Sequence, residues 1–325
     1  MPSVLEVSGL TVEYATQSGP VVAVDAVDLD VAPGEFVGVV GESGCGKSTL
    51  LFAIARLLNP PAEITSGAVQ FRGQNLVTMT DKQLNVLRWR DLSVVMQSAM
   101  NALNPVTTIG AQFRDTMIAH RTTSKAEIHQ RSTEVLKLVG IDPIHLRSYP
   151  HQLSGGMRQR AMIAMALLFT PDLVIMDEPT SALDVVAQRA LMLQIKHLQQ
   201  KLGFAVVFVT HDMSLVSHFS DRLVVMYAGQ VVETGPTRDV FDAPSHPYSR
   251  GLLDAFPSIR GERTPLLGIP GRPPELRNPP SGCRFHPRCP VAVDRCTTTA
   301  PELYAVDTVR ARCLRLGDQP VEDAS

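Results

Sequence analysis

Residues 36–58 read FVGVVGESGCGKSTLLFAIARLL, and this stretch decides what the chain can be. A run of apolar residues ends at Gly41, a glycine-rich turn follows, and apolar positions from Lys47 onward recur at helical spacing. Gly41 to Ser48, GESGCGKS, fits G-x-x-x-x-G-K-[ST] in the setting that gives the pattern meaning, after a strand and before a helix. Glycines let backbone N–H groups turn toward phosphate oxygens, and a helix N-terminus adds partial positive charge. Lys47 then reaches the β- and γ-phosphates of a nucleotide, and the Ser48 hydroxyl ligates Mg2+. Gly41, Ser43, Gly44, Cys45, Gly46, Lys47, Ser48 and Thr49 are the candidate nucleotide-binding residues, Cys45 serving as a small filler at a free loop position.

Outward from the loop, apolar alternation in VLEVSGLTVEY and VVAVDAVDLDVAPGEFVGVV reads as short strands broken by turns such as Pro33-Gly34. From about Asp81 to Ala166 the pattern is mostly helical. DLVIMDE, almost wholly apolar before its acids, reads as a strand buried on both faces of a parallel sheet. The helix VVAQRALMLQIKHLQQKLG and a second buried strand, AVVFVT, complete a β-α-β order and an α/β fold class. Two carboxylates close the first of these strands. Asp177 suits a Mg2+-holding role through water, and Glu178 suits polarisation of an attacking water. After Gly235 prolines accumulate, as in GIPGRPPELRNPP, which reads as a linker to a small C-terminal module.

The chain has 325 residues, 44% of them hydrophobic, enough for a large α/β core with an appendage. With 30 basic against 32 acidic residues, the formal charge of -2 gives no support to a broad nucleic-acid-binding surface. MPSVLEVSGLTVEY has no basic stretch followed by an apolar core, so no signal peptide is expected. The longest apolar run, Ala161 to Phe169, is far short of the ~20 residues a membrane helix needs. A cytosolic location is expected, with any membrane role coming through a partner.

At LSGGMRQR, Leu153 to Arg160, the sequence resembles the ATP-binding subunits of ABC transporters. The rest of that family's set follows in order: Gln97 at the Q-loop, TSALD (Thr180 to Asp184) at the D-loop, His211 in VTHD at the H-loop, and Tyr14 where an aromatic residue meets adenine. The match covers about residues 4–235. It implies an ABC-type nucleotide-binding domain over residues 1–235, with a helical subdomain at about 98–165, and a linker and C-terminal domain over 236–325. It also implies that two ATP molecules are buried between head-to-tail protomers, and that Ser154, Gly155 and Gly156 meet the ATP held by the opposite subunit. The implied catalytic residues are Glu178, His211 and Gln97, the implied Mg2+ ligands Ser48, Gln97 and Asp177. One departure stands out. Relatives often read FQDP or FQEP where this chain has MQSAMNALNP, which leaves the contacts to a permease helix unspecified.

MNALNP, SHPYSRGLL and GCRFHPRCP narrow the resemblance to the dipeptide/oligopeptide importer branch. Implied partners are two transmembrane permeases, a second ATP-binding subunit and an extracytoplasmic peptide-binding receptor, with the chain on the cytoplasmic side of the plasma membrane and no nucleic acid partner. The same motor could serve nickel or another small solute. An ABC ATPase acting on DNA or ribosomes is the alternative of another class, opposed by the single cassette, the lack of a heptad run and the balanced charge.

Four of the five cysteines cluster late, at Cys283, Cys289, Cys296 and Cys313. Clustered thiols in a reducing compartment point to metal rather than disulfides. Their C-x5-C-x6-C-x16-C spacing fits neither zinc-finger nor ferredoxin templates, while four thiolates suit zinc or an iron–sulfur cluster alike. The resemblance orders a [4Fe–4S] cluster ahead of Zn2+. His286 is a candidate to replace one cysteine as a zinc ligand, although packing or solvation is its expected role. The expected role of the cysteine site is a staple for a module too small to bury much apolar surface.

Overall fold

A computed structural model describes residues 2–97, 102–122, 124–181, 183–255 and 268–317. In chain order the elements begin with strands β1 (Leu5–Tyr14), β2 (Val21–Val31) and β3 (Phe36–Val40), helix α1 (Lys47–Ile54), then β4 (Ala62–Phe71), β5 (Gln74–Asn75), α2 (Asp81–Leu87) and β6 (Leu92–Val95). Next come α3 (Ile109–Ala119), α4 (Lys125–Leu138), α5 (Gly155–Ala166), β7 (Leu173–Asp177), α6 (Val185–Leu202) and β8 (Ala205–Val209). The last are α7 (Met213–Phe219), β9 (Arg222–Tyr227), β10 (Gln230–Pro236), α8 (Thr237–Asp242), α9 (Pro247–Asp254), β11 (Tyr304–Val306) and β12 (Val309–Ala311). They fall into two compact units: Met1–Glu6, Asp30–Phe36 and Gln70–Val209, and Val7–Leu29, Val37–Val69 and Thr210–Ser325.

In the first unit β6, β7 and β8 pair in parallel, and every residue of β7 and β8 is buried. That double-sided burial is why both strands lack polar alternation. The helical reading of Asp81 to Ala166 needs one correction. After α2 the chain turns through Trp89, at φ 64°, into strand β6. LSVV is three-quarters buried, and its pairing with β7 outweighs the helical pattern around it. Helices α3, α4 and α5 start where Thr108, Ser124 and Ser154 accept backbone N–H groups, as N-caps do. Helix α6 stops at Gly203, whose left-handed φ of 80° closes the helix.

In the second unit β3 pairs in parallel with β9, and β9 continues antiparallel through β10 and β12 to β11. Most of β1, β2 and β4 also lie here, in the sheet ordered β2-β1-β4-β5. The cysteine-bearing segment was expected to be a module apart. Instead it shares this unit with the phosphate-binding loop, and its β12 extends the sheet from β10. A short proline-rich segment buries too little of itself to stand alone, so it borrows a core from the sheet. Among the described residues no helix is long and apolar enough to cross a membrane.

Candidate functional site

The loop of residues 41–46 connects β3 to α1 in the second unit. Gly46 takes φ 104°, and a Cβ there would lie 2.2 Å from the Ala23 carbonyl oxygen. A Cβ on Gly41, at φ 152°, would lie 2.2 Å from the Met226 oxygen. Neighbouring backbone thus presses on the loop at both ends and leaves room only for glycine. Lys47 is 7% exposed and folds back over the turn, its Nζ donating to the carbonyls of Gly41 and Glu42 at 2.8 Å each. Cys45 is buried, and burial pushes its thiol pKa up despite the nearby Lys47 charge, so it stays a neutral filler. Tyr14, at the end of β1, places its hydroxyl 3.1 Å from the Thr49 Oγ1.

His211 lies exposed in the turn before α7. That turn is pinned on both sides of it: the Thr210 N–H donates to the Val39 oxygen at 3.3 Å, and the Ser214 N–H to Asp212 Oδ1 at 2.8 Å.

The first unit holds the acids. Asp177, 3% exposed, ends β7. Glu178 follows at φ 43°, a left-handed backbone uncommon for a non-glycine residue, and its N–H is held by the Val209 carbonyl at 2.9 Å. Strand register brings Gln97 to it. Val95 pairs with Met176, so the residues two further along each parallel strand come level. The Gln97 Nε2 donates to Glu178 Oε2 at 2.7 Å. Nothing in the sequence shows this contact, because the two residues are 81 positions apart.

At the start of α5 the Ser154 Oγ accepts the Met157 N–H at 3.3 Å, and the space around a Cβ on Gly155 is open. A helix of this length with an uncluttered, glycine-bearing N-terminus can face an anion. In the TSALD stretch Asp184 caps α6 through the Ala187 N–H at 2.9 Å, and Ala182 lies outside the described residues.

Cys283, Cys289, Cys296 and Cys313 are free thiols lining one cavity, together with His246, Phe285, His286 and Leu314. Burial, then the charges of the other three cysteines, pushes the Cys283 thiol up to about 11; burial also raises Cys289 and Cys313. His286 donates from Nδ1 to the Cys283 carbonyl at 3.0 Å, a backbone-packing role. Among the described residues, however, no three His, Cys, Asp or Glu side chains are arranged to hold a metal ion. The thiols line one partly apolar cavity, and this arrangement lends no support to the expected [4Fe–4S] cluster or to its Zn2+ alternative.

Sequence reasoning missed three further residues of the second unit. Arg288 and Tyr248 both bond Glu42 of the phosphate-binding loop. The motifs that contain them, SHPYSRGLL and GCRFHPRCP, had served only to mark a branch of a family.

Residues 24–181 match the ABC transporter family model, and residues 232–296 match that of the oligopeptide/dipeptide transporter C-terminal region. The oligopeptide transport ATP-binding protein OppD of Salmonella typhimurium is 42% identical over 98% of this chain and 94% of its own length. The dipeptide transport ATP-binding protein DppD of Bacillus subtilis is 42% identical over 100% of this chain and 98% of its own. Among solved structures, a dimeric post-hydrolysis state of the ATP-binding cassette MJ0796, bound to ADP and Pi, superposes with a TM-score of 0.65 at 30% identity. That alignment covers 72% of this chain and 99% of the cassette.

Proposed function

The chain belongs to the ATP-binding subunits of ABC transporters, in the oligopeptide/dipeptide branch, and on that premise we propose that it hydrolyses ATP to drive import of di- or oligopeptides. The observation that carries this reading is the likeness over nearly the full length to peptide transport ATP-binding proteins, cassette and C-terminal region together.

In this reading residues 1–235 are the nucleotide-binding part, and 236–325 the linker and peptide-importer region. The backbone N–H groups of Ser43 to Ser48, with Lys47, hold the ATP phosphates, while Tyr14 faces the adenine. Ser48, Gln97 and Asp177 offer the hard oxygen donors that Mg2+ takes, and the ion supplies charge neutralisation at the phosphates. Glu178 accepts a proton from the attacking water, His211 contacts the γ-phosphate, and Gln97 orients the Glu178 carboxylate through its amide N–H. Ser154, Gly155 and Gly156 meet the ATP of a second ATP-binding subunit. Two permeases and an extracytoplasmic receptor complete the assembly, so the chain works at the cytoplasmic face of the membrane without crossing it.

The four thiols have the donor type and number of a [4Fe–4S] site, and we extend the proposal to such a cluster acting as a staple. Anaerobic purification with iron, acid-labile sulfide and zinc analysis tests this part. Equal iron and sulfide supports the cluster, and a thiol-only protein sinks it.

For the main reading, the chain is reconstituted with its permeases and receptor, and uptake of labelled dipeptide, oligopeptide and nickel is compared. ATP-dependent peptide uptake is expected. Nickel uptake alone would move the substrate, and no uptake with intact ATPase activity would remove the transport reading.

A further inference from the structure

We propose that Arg288 and Tyr248 are positioning residues of the phosphate-binding loop, fixing Glu42 so that ATP meets a loop already in its binding conformation. The proposal rests on reading residues 41–48 as the loop that holds ATP phosphates.

Glu42 is the first residue of the turn after Gly41, and it is anchored twice. Its carboxylate takes both arms of the Arg288 guanidinium, Nη1 to Oε2 at 2.6 Å and Nη2 to Oε1 at 2.9 Å. Its backbone N–H donates to the Tyr248 hydroxyl at 2.8 Å. That N–H therefore points away from any phosphate. Glu42 is the pivot from which Ser43 to Ser48 hang, and its carbonyl is one of the two that hold Lys47.

Both anchors are held rigidly by their own surroundings. Arg288 is 7% exposed, its Nε donates to the Pro270 carbonyl at 2.8 Å, and its Nη1 also reaches the Tyr227 hydroxyl at 3.3 Å. The guanidinium sits over the Tyr227 ring, 5.8 Å from its centre. A planar fork satisfied on every side fixes direction in a way a lysine cannot. The Glu42 bond raises the Arg288 pKa further, so the charge is permanent.

Tyr248 owes its place to the SHPY stretch. His246 caps α9, accepting the Tyr248 N–H at its Nδ1 at 3.0 Å, and Pro247 occupies the first helical turn. The buried Glu233 carboxylate accepts the N–H groups of Ser245 at 2.6 Å and His246 at 3.0 Å. The Tyr248 ring packs on Tyr227 and Phe285 at centroid distances of 4.6 and 5.4 Å. The whole motif aims one hydroxyl at one loop N–H.

A loop held this way loses its freedom when the chain folds, not when nucleotide arrives, and preorganisation of that kind strengthens binding. The competing explanation is that the same bonds merely fasten the C-terminal segment to the sheet. The two differ in what they move.

The test uses the full chain, a fluorescent ATP analogue to read affinity, the KM and kcat of ATP hydrolysis, and thermal melting without nucleotide. Tyr248→Phe removes only the hydroxyl, and Arg288→Lys keeps the charge but loses the fork. Each is expected to weaken ATP binding and raise KM by roughly three- to ten-fold, with kcat and the melting temperature close to wild type. The Arg288→Ala/Glu42→Ala double variant is expected to bind no worse than the weaker single variant, as coupled residues do. Wild-type affinity in both conservative variants overturns the proposal, and so does a loss of affinity that only tracks a fall in melting temperature. Lys47→Ala separates the premise from the proposal. If it abolishes binding while Tyr248→Phe and Arg288→Lys change nothing, the proposal alone fails; if Lys47→Ala binds ATP normally, the nucleotide reading falls and takes the proposal with it.

Discussion

Glu178 and Glu42 both lie just past a buried β-strand, and they are held in opposite ways. Glu178 is partly exposed, sits on a left-handed backbone, and accepts a bond from the neutral, exposed Gln97. Glu42 has both carboxylate oxygens committed to a buried arginine and its N–H committed to a buried tyrosine. The Gln97 bond to Glu178 comes from a neutral amide, so that bond orients the carboxylate without pairing it to a cation. The guanidinium fork on Glu42 is a charged, two-armed clamp that serves geometry instead. The difference teaches that acidic character alone does not mark a reacting group; the partner does.

The sharpest way to break this comparison is Glu178→Gln against Glu42→Gln. The first should lower ATP turnover by ~10²–10⁴-fold with ATP binding retained, the usual range for loss of a general base. The second should act on nucleotide affinity and stability, by about 1–3 kcal/mol, because it weakens a buried charge-assisted pair. Steady-state ATPase assays beside binding titrations check both, and equal losses of kcat in the two variants would erase the distinction.

Gly46→Ala comes next. Its Cβ would press on the Ala23 oxygen at 2.2 Å in a backbone of φ 104°, so the loop must shift whatever its anchors do. ATP affinity is expected to drop by about ten-fold or more in the same titration. Gln97→Ala should be milder, lowering turnover by about ten-fold or less, since it leaves Glu178 in place and removes only the amide bond to it. A loss as large as that of Glu178→Gln would make Gln97 the more important of the pair.

The smallest effect at neutral pH concerns His246. Burial, its first cause, depresses the pKa of this imidazole from 6.5 to about 3. An unfolded chain therefore binds a proton that the folded chain refuses, and stability falls as pH drops from 6.5 toward about 3. Above pH 6.5 the group contributes no slope. His246→Asn keeps an N-cap acceptor and should flatten part of that acid limb, as followed by urea unfolding across the pH range.

Legibility followed distance along the chain. Lys47, Ser48 and the glycines are recognisable because a phosphate-binding turn is built within eight residues, where spacing alone sets the geometry. The buried β7 and β8 are legible from unbroken apolar runs, and the helix ends from their serine, threonine, aspartate and glycine caps. Strand β6 was hidden in a helical pattern, since four residues carry too little periodicity to compete with their neighbours. The late cysteines drew attention by number, yet their count could not say how they are arranged: they line one cavity, and among the described residues no three are arranged to hold a metal ion.

By itself, then, the sequence determined the fold class, the phosphate-binding turn, the acidic strand end and the membership of a transporter family. All of these are written in short stretches of backbone and side-chain pattern. Tertiary structure alone decided the partners: Gln97 with Glu178, set by strand register, and Arg288 with Glu42, joined across 246 residues. Pairings of that kind depend on where the packed sheet brings distant segments, and no local pattern of residues carries that information.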